Sequence, residues 1–202
     1  MKLKDYIEEI PDFPVKGILF KDISPLIANY QAMSYVKASF LDIIKSYHVD
    51  YIGGIDARGF LFSTLLADAL GVGSFMIRKE GKLPGKVITK EYSLEYGTSK
   101  MSIRQNINLK NKNIILVDDL LATGGTLRCG EELVNIKEGN VLFSLTVIEL
   151  VKLNGHKNLN SKVYSLVKYN DWTAWPQKYC FTSCTWKRAS KETNTNLEYL
   201  LY

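Results

Sequence analysis

The chain is poor in the residues that mark several protein classes. It has only three cysteines, Cys129, Cys180 and Cys184, in 202 residues. An odd, sparse set argues against a disulfide framework and for a reducing compartment. Cys180 and Cys184 lack a second pair at zinc-finger spacing, so they do not read as a zinc site. The two histidines, His48 and His156, stand apart in polar surroundings, and neither reads as a ligand or a base. No Gly-x-x-x-x-Gly-Lys-Ser/Thr run occurs, which excludes a Walker loop, and no Gly-x-Gly-x-x-Gly fingerprint supports a dinucleotide. Internal repeats and low-complexity runs are missing. So is a clean membrane span: the most apolar stretch, Phe60 to Ile77, contains Asp68, Gly71 and Gly73 and divides into a helix followed by a strand. Met1 to Pro11 has no apolar core of the secretory kind. Neither sign of charge dominates: 26 Lys and Arg face 21 Asp and Glu, a net charge of +5. That suits an anionic small molecule and is too weak and scattered to argue for nucleic acid. A cytoplasmic protein that binds neither nucleic acid nor membrane is expected.

What is present suits one domain. At 202 residues, 46% hydrophobic and 23% charged, the chain can bury a sizeable core. Pro11, Pro14, Gly17 and Pro25 punctuate the first thirty residues, which read as a packed loop with a short apolar piece, Ile18 to Phe20. Met33, Val36, Phe40, Ile43, Ile44 and Tyr47 recur at helical spacing. A strand at Asp50 to Ile55, a helix at Phe60 to Leu70 and a strand at Val72 to Ile77 follow. Val87 to Tyr96 alternates weakly, as a hairpin arm or a mobile loop. Val141 to Leu150 and Val163 to Tyr169 read as further strands. Strands alternating with helices predict an α/β fold, a mainly parallel sheet covered by helices on both faces. The tail from Asn170 holds all three tryptophans, Trp172, Trp175 and Trp186, and is expected to pack on the domain or on a neighbouring subunit.

Ile114 to Thr126 is the most informative segment. Four apolar residues predict a doubly buried strand, closed by Asp118 and Asp119. Ala122, Thr123, Gly124, Gly125 and Thr126 then form a small-residue loop ahead of a helical pattern from Leu127 to Ile136. Converging backbone N–H groups and a helix N-terminus make that loop a phosphate cradle. Carboxylates beside an anion site must face hydroxyls or a metal, and phosphate next to a diol is what ribose 5-phosphate presents. Asp56-Ala57-Arg58-Gly59 falls at another strand end, so two motifs point to one crevice. Arg58 fits either a surface position at a helix start or a bidentate contact to a second phosphate group. Arg78 to Gly85 fits either a solvated loop or a flap that brings Arg78 and Lys82 onto a polyphosphate.

Val117 to Thr126 resembles the phosphoribosyl-diphosphate motif of type I phosphoribosyltransferases. Three further segments narrow the resemblance to the adenine phosphoribosyltransferase family: Ile10 to Pro25, Gly54 to Phe62, and Gly81 to Gly85 with Tyr92 to Gly97. The resemblance runs from about Leu3 to Tyr169. It implies a type I phosphoribosyltransferase fold over residues 1–169, with 1–30 as a small N-terminal base-binding hood and 170–202 as a C-terminal extension. It implies transfer of phosphoribosyl from 5-phosphoribosyl 1-diphosphate to adenine, giving AMP and pyrophosphate, a purine-salvage reaction. Mg²⁺ is implied as riding on the substrate with no direct protein ligand, and the protein as a homodimer. By position, Ala122 to Thr126 would cradle the 5-phosphate, and Asp118 and Asp119 would meet the ribose. Arg58, with the Asp56–Ala57 peptide, would hold pyrophosphate, with Arg78 and Lys82 as further ligands. Leu19, Phe20 and Lys21 would contact adenine: Phe20 by stacking, the other two through backbone groups. Glu95 would donate a proton to adenine N7, with Tyr96 beside it. Lys21 stands where the family commonly has arginine, and Ser63 where glycine is frequent, a change expected to tighten packing. Two other readings compete: a transferase for another purine such as xanthine, and a non-catalytic sensor of phosphoribosyl diphosphate. The Phe20 segment and Tyr92 to Gly97 favour adenine. Sensors of this kind carry a DNA-binding module ahead of the fold, and Glu95 would be superfluous in one.

Overall fold

A computed structural model describes residues 1–14, 16–94 and 97–170, with only the backbone given at 93, 94, 97 and 98. Glu95, Tyr96 and the tail with Cys180, Cys184 and the three tryptophans lie outside the described residues. In chain order the strands are β1 (Glu8–Pro11), β2 (Leu19–Asp22), β3 (Tyr51–Ile55), β4 (Gly73–Lys79), β5 (Val87–Leu94), β6 (Gly97–Arg104), β7 (Asn113–Leu121), β8 (Asn140–Leu150) and β9 (Lys162–Tyr169). The α-helices are α1 (Ser24–Ala28), α2 (Tyr30–Ile44), α3 (Gly59–Leu70) and α4 (Gly125–Ile136). Seven strands make one sheet in the order β5-β6-β4-β3-β7-β8-β9. From β4 through β9 neighbouring strands run parallel, while β6 and β5 are added antiparallel at the other edge. The mainly parallel α/β sheet expected from the pattern is present.

Alternation along β7 explains why both faces are covered. Ile115 and Val117 join a core with Val36 and Phe40 of α2 and Phe62 and Leu66 of α3. Ile114 and Leu116 point the other way, into a core with Leu127 and Leu133 of α4 and Met101 and Ile103 of β6. A strand buried on both sides has no polar face, which is why its sequence is an unbroken apolar run. In α2, Ala32, Val36, Phe40 and Ile44 are buried one turn apart, and the Asn29 side chain caps the helix by accepting from Ala32 N at 2.9 Å. Gly71, at φ 67°, ends α3 in the left-handed conformation. Among the described residues no helix is long and apolar enough to cross a membrane.

Four local expectations need correction. The first thirty residues are not all loop: β1 and β2 pair antiparallel, Glu9 opposite Lys21 and Ile10 opposite Phe20. Gly97 to Arg104, not anticipated as a strand, pairs with β5 and β4, so Val87 onward is a hairpin arm. Asp118 and Asp119 do not close β7. The strand continues to Leu121, because Asp118 and Leu120 stay in register with Thr146 and Ile148 of β8. Finally, α2 stops at Ile44, and Tyr47 packs beyond it, edge-on to Phe143 at 4.8 Å between centroids.

Candidate active site

The sheet places the site. β3 is flanked by β4 on one side and β7 on the other. The helices that leave these two strands, α3 and α4, pack on opposite faces. The carboxyl ends of β3 and β7 therefore diverge into a crevice, the usual ligand position in such sheets. Asp56 to Arg58 follow β3, and Asp118 to Thr126 lie at the end of β7 and beyond it.

Arg58 joins the parts. Its Nη2 lies 2.9 Å from Asp119 Oδ2, and its Cζ lies 5.4 Å from the centre of the Phe20 ring. The carboxylate oxygen is buried, and the pair is a charge contact without hydrogen-bond alignment. Phe20 in turn meets Phe13 edge-on at 5.1 Å. Phe13, Phe20, Arg58 and Asp119 thus form one line from the hood to β7. Gly59 makes this approach possible. A Cβ there would stand 2.5 Å from the Val117 carbonyl oxygen and 3.2 Å from Asp118 Cα.

Asp118 and Asp119 are 7% and 5% exposed. Asp119 N donates to Asp118 Oδ1 at 2.9 Å. Burial first, and the neighbouring Asp119 carboxylate second, push the Asp118 carboxyl well above the ordinary range; Arg58 opposes them weakly. The pair waits for partners, and hydroxyl donors or a developing positive charge would supply them.

The loop after β7 leads into α4. Gly124, at φ 83°, is its N-cap, and the first turn carries no acidic residue. The opening N–H groups of a helix have no intrahelical acceptors, so Gly125 and Thr126 present donors and the positive end of the dipole. Two neighbours of this loop escaped sequence reasoning. A Cβ on Gly124 would stand 2.6 Å from the Gly155 carbonyl oxygen, and Asn158 Nδ2 donates to the Thr123 carbonyl at 2.8 Å. Phe13 escaped too. No spacing rule ties any of the three to the motif.

The remaining predicted residues divide. The Asp56–Ala57 peptide is cis. Asp56 Oδ2 accepts from Arg78 Nε and from Lys79 N, each at 3.2 Å, which draws the turn after β4 to the loop after β3. Arg78 Nη1 also donates to the Lys82 carbonyl at 3.3 Å, while Lys82 itself is exposed. Leu19 is partly buried in β2. Lys21 turns inward: its Nζ pairs with Glu9 and sits 3.9 Å from the centre of the Tyr169 ring, leaving its backbone as its contribution to the crevice. Ser63 is buried, donates to the Phe60 carbonyl at 3.2 Å and fills the space over Gly54. Glu95 and Tyr96 lie outside the described residues, although β5 before them is docked on α4 by Lys90 and Glu132 at 3.2 Å. Cys129 is a buried free thiol whose pKa burial raises to about 11, so it is no nucleophile.

A family profile described as "Phosphoribosyl transferase domain" matches residues 28–183. The adenine phosphoribosyltransferase of Halothermothrix orenii is 45% identical over 169 residues, 83% of this chain and 99% of the relative. That of Drosophila pseudoobscura pseudoobscura is 46% identical over 169 residues, 83% of this chain and 93% of its own. Among solved structures, the adenine phosphoribosyltransferase of Thermoanaerobacter pseudethanolicus superposes with a TM-score of 0.80 at 41% identity, covering 83% of this chain and 98% of that one. The Saccharomyces cerevisiae enzyme, solved with a bisphosphorylated imino-altritol and adenine, gives 0.77 at 39% identity, over 82% and 96%. On its sequence and its fold, the chain belongs to the adenine phosphoribosyltransferase family.

Proposed function

We propose that this chain is an adenine phosphoribosyltransferase: it converts adenine and 5-phosphoribosyl 1-diphosphate to AMP and pyrophosphate, salvaging a preformed base. The observation that carries the reading is Arg58, which touches the hood at Phe20 and the acid pair at Asp119. One cation thereby sits between the base side and the sugar side, where a diphosphate must depart. As the C1–O bond to pyrophosphate loosens, positive charge grows on the ribose and negative charge on the leaving group. Asp118 and Asp119 favour the first and accept from the ribose hydroxyls. Arg58, with Asp56–Ala57, Arg78 and Lys82, opposes the second. Ala122 to Thr126 hold the 5-phosphate and so keep C1 in line. Phe20 stacks on adenine, backbone groups of Leu19 and Lys21 read its edge, and N9 attacks C1 as the imidazole proton passes from N7 to Glu95, with Tyr96 beside it; in the reverse reaction Glu95 donates that proton to N7.

Mg²⁺ would ride on the sugar diphosphate and add positive charge against the leaving group, beside the carboxylates of Asp118 and Asp119. Cytoplasmic residence agrees with the free Cys129 thiol. A homodimer agrees with Leu61 on α3 and Met76 on β4, apolar side chains each 46% exposed. We place the transferase in residues 1–169, with 1–30 as its hood and 170–202 as an extension.

The test is direct. Protein incubated with Mg²⁺, phosphoribosyl diphosphate and each natural purine base should form AMP from adenine and little nucleotide from xanthine or hypoxanthine. A preference for xanthine, or uptake of the sugar diphosphate without turnover, would favour the competing readings. A second test addresses the hood. Lys21→Met removes the cation over Tyr169 and should raise KM for adenine ~3–10-fold, leaving KM for phosphoribosyl diphosphate unchanged in steady-state assays.

A further inference from the structure

The connection between β8 and β9 touches three successive residues of the proposed phosphate cradle. Gly155 abuts the Ala122 carbonyl so closely that a Cβ would collide with it. Asn158 Nδ2 donates to the Thr123 carbonyl at 2.8 Å, and Gly124 packs on the Gly155 carbonyl. The connection is itself held. Glu131, on the buried side of α4, accepts from Asn160 N at 2.8 Å and from Ser161 N at 2.9 Å, and Ser161 Oγ also donates to it. Asn160 Oδ1 accepts from Arg128 of the same helix. At the other end His156 Nδ1 lies 3.0 Å from Glu149 Oε1, whose second oxygen is 3.3 Å from Lys168 Nζ.

A carboxylate that is 1% exposed and spends its oxygens on two backbone N–H groups and a hydroxyl is an expensive device for shaping a surface turn. Its effect is to fix where Asn158 stands. In a planar trans peptide the C=O and N–H point in opposite directions. Clamping the Thr123 carbonyl from the Asn158 side therefore aims the Gly124 N–H away from Asn158.

We propose that Asn158, set in place by Glu131 through Asn160 and Ser161, is a positioning residue for the 5-phosphate of the sugar substrate. It acts through the Thr123–Gly124 peptide and does not touch the phosphate. The proposal rests on the functional reading above, and ligands that carry or lack a 5-phosphate separate the two.

The experiment is calorimetric titration of wild-type protein and Asn158→Ala with ribose 5-phosphate, AMP, adenine and pyrophosphate. Asn158 is exposed, so the variant should fold with an unchanged Tm. Ribose 5-phosphate and AMP should each bind ~5-fold more weakly to it. Adenine and pyrophosphate should bind as they do to wild type. Asn158→Asp, which replaces the donor by a negative charge, should lose more than the alanine variant. Equal ribose 5-phosphate binding by wild type and Asn158→Ala overturns the proposal, and so does an equal loss for all four ligands. Wild-type protein that takes up neither ribose 5-phosphate nor AMP overturns the functional reading itself.

Discussion

Asp118→Asn should yield a protein that is harder to unfold and much poorer at catalysis. The Asp118 carboxyl is buried beside Asp119, and both causes raise its pKa in the folded chain. A carboxyl whose folded pKa exceeds its unfolded value holds its proton longer in the native state, so its ionisation destabilises the fold as pH rises. That cost grows as the pH rises from the unfolded pKa towards the folded one, and asparagine removes it while still accepting the Asp119 N–H. Tm should rise by at least ~2 °C at pH 7, and the gap should close as the pH is lowered to about 3, below the unfolded aspartate pKa of about 3.9, where the wild-type group is protonated in both states. Activity should move the other way: kcat/KM should fall ~10–100-fold, the worth of a charge-assisted contact to the ribose. Thermal melts over a pH series, with steady-state rates, check both. A variant less stable than wild type at pH 7 would show that Asp118 carries no such burden.

Gly59→Ala should cost both stability and activity. Its Cβ would stand 2.5 Å from the Val117 carbonyl oxygen, a backbone atom inside β7. A flexible side chain could yield, but a central strand hydrogen-bonded on both sides cannot. Relief must come from α3 backing away, which carries Arg58 off Asp119 and Phe20. Overpacking of this kind costs ~1–3 kcal/mol, or ~3–10 °C in Tm for a domain of this size. The displaced guanidinium should lower kcat/KM ~100-fold, even at temperatures where the variant is fully folded. Activity restored to wild-type level on cooling would mean that the close approach matters for stability alone. Asp68→Ala, on the exposed side of α3, is the control and should change Tm little.

The residues that were legible in the sequence are those whose neighbours along the chain share their task. Ile114 to Val117 had to be an apolar run because both faces of β7 are covered. The glycines and threonines at 123–126 had to be contiguous because a phosphate is cradled by successive N–H groups. Asp118 and Asp119 were legible as a pair, yet their place inside the strand was not, since only the register with β8 keeps the ladder going past two charges. β6 was missed because Gly97, Thr98, Ser99 and Lys100 offer no apolar alternation; it is a strand because β4 and β5 supply partners on both sides. The β1–β2 pair was hidden by Pro11, Pro14 and Gly17, which sit at its end and in its turn. Gly155, Asn158 and Phe13 reach the crevice only through tertiary approach. The resemblance to a family located the motifs, and the sheet explains why they meet.

Tyr169 ends β9, the edge strand made last among those described, and its ring carries both Lys4 and Lys21. Lys4 is thus seated on a ring that emerges from the ribosome 165 residues after it. During synthesis the two lysines have no ring to rest on, and the N-terminal hairpin has nothing to fix its angle to the sheet. A chain interrupted before this tyrosine would keep most of its core and still have an unanchored entrance for the base. Contacts so distant along the chain form slowly, so assembly of the sheet should precede maturation of the base pocket.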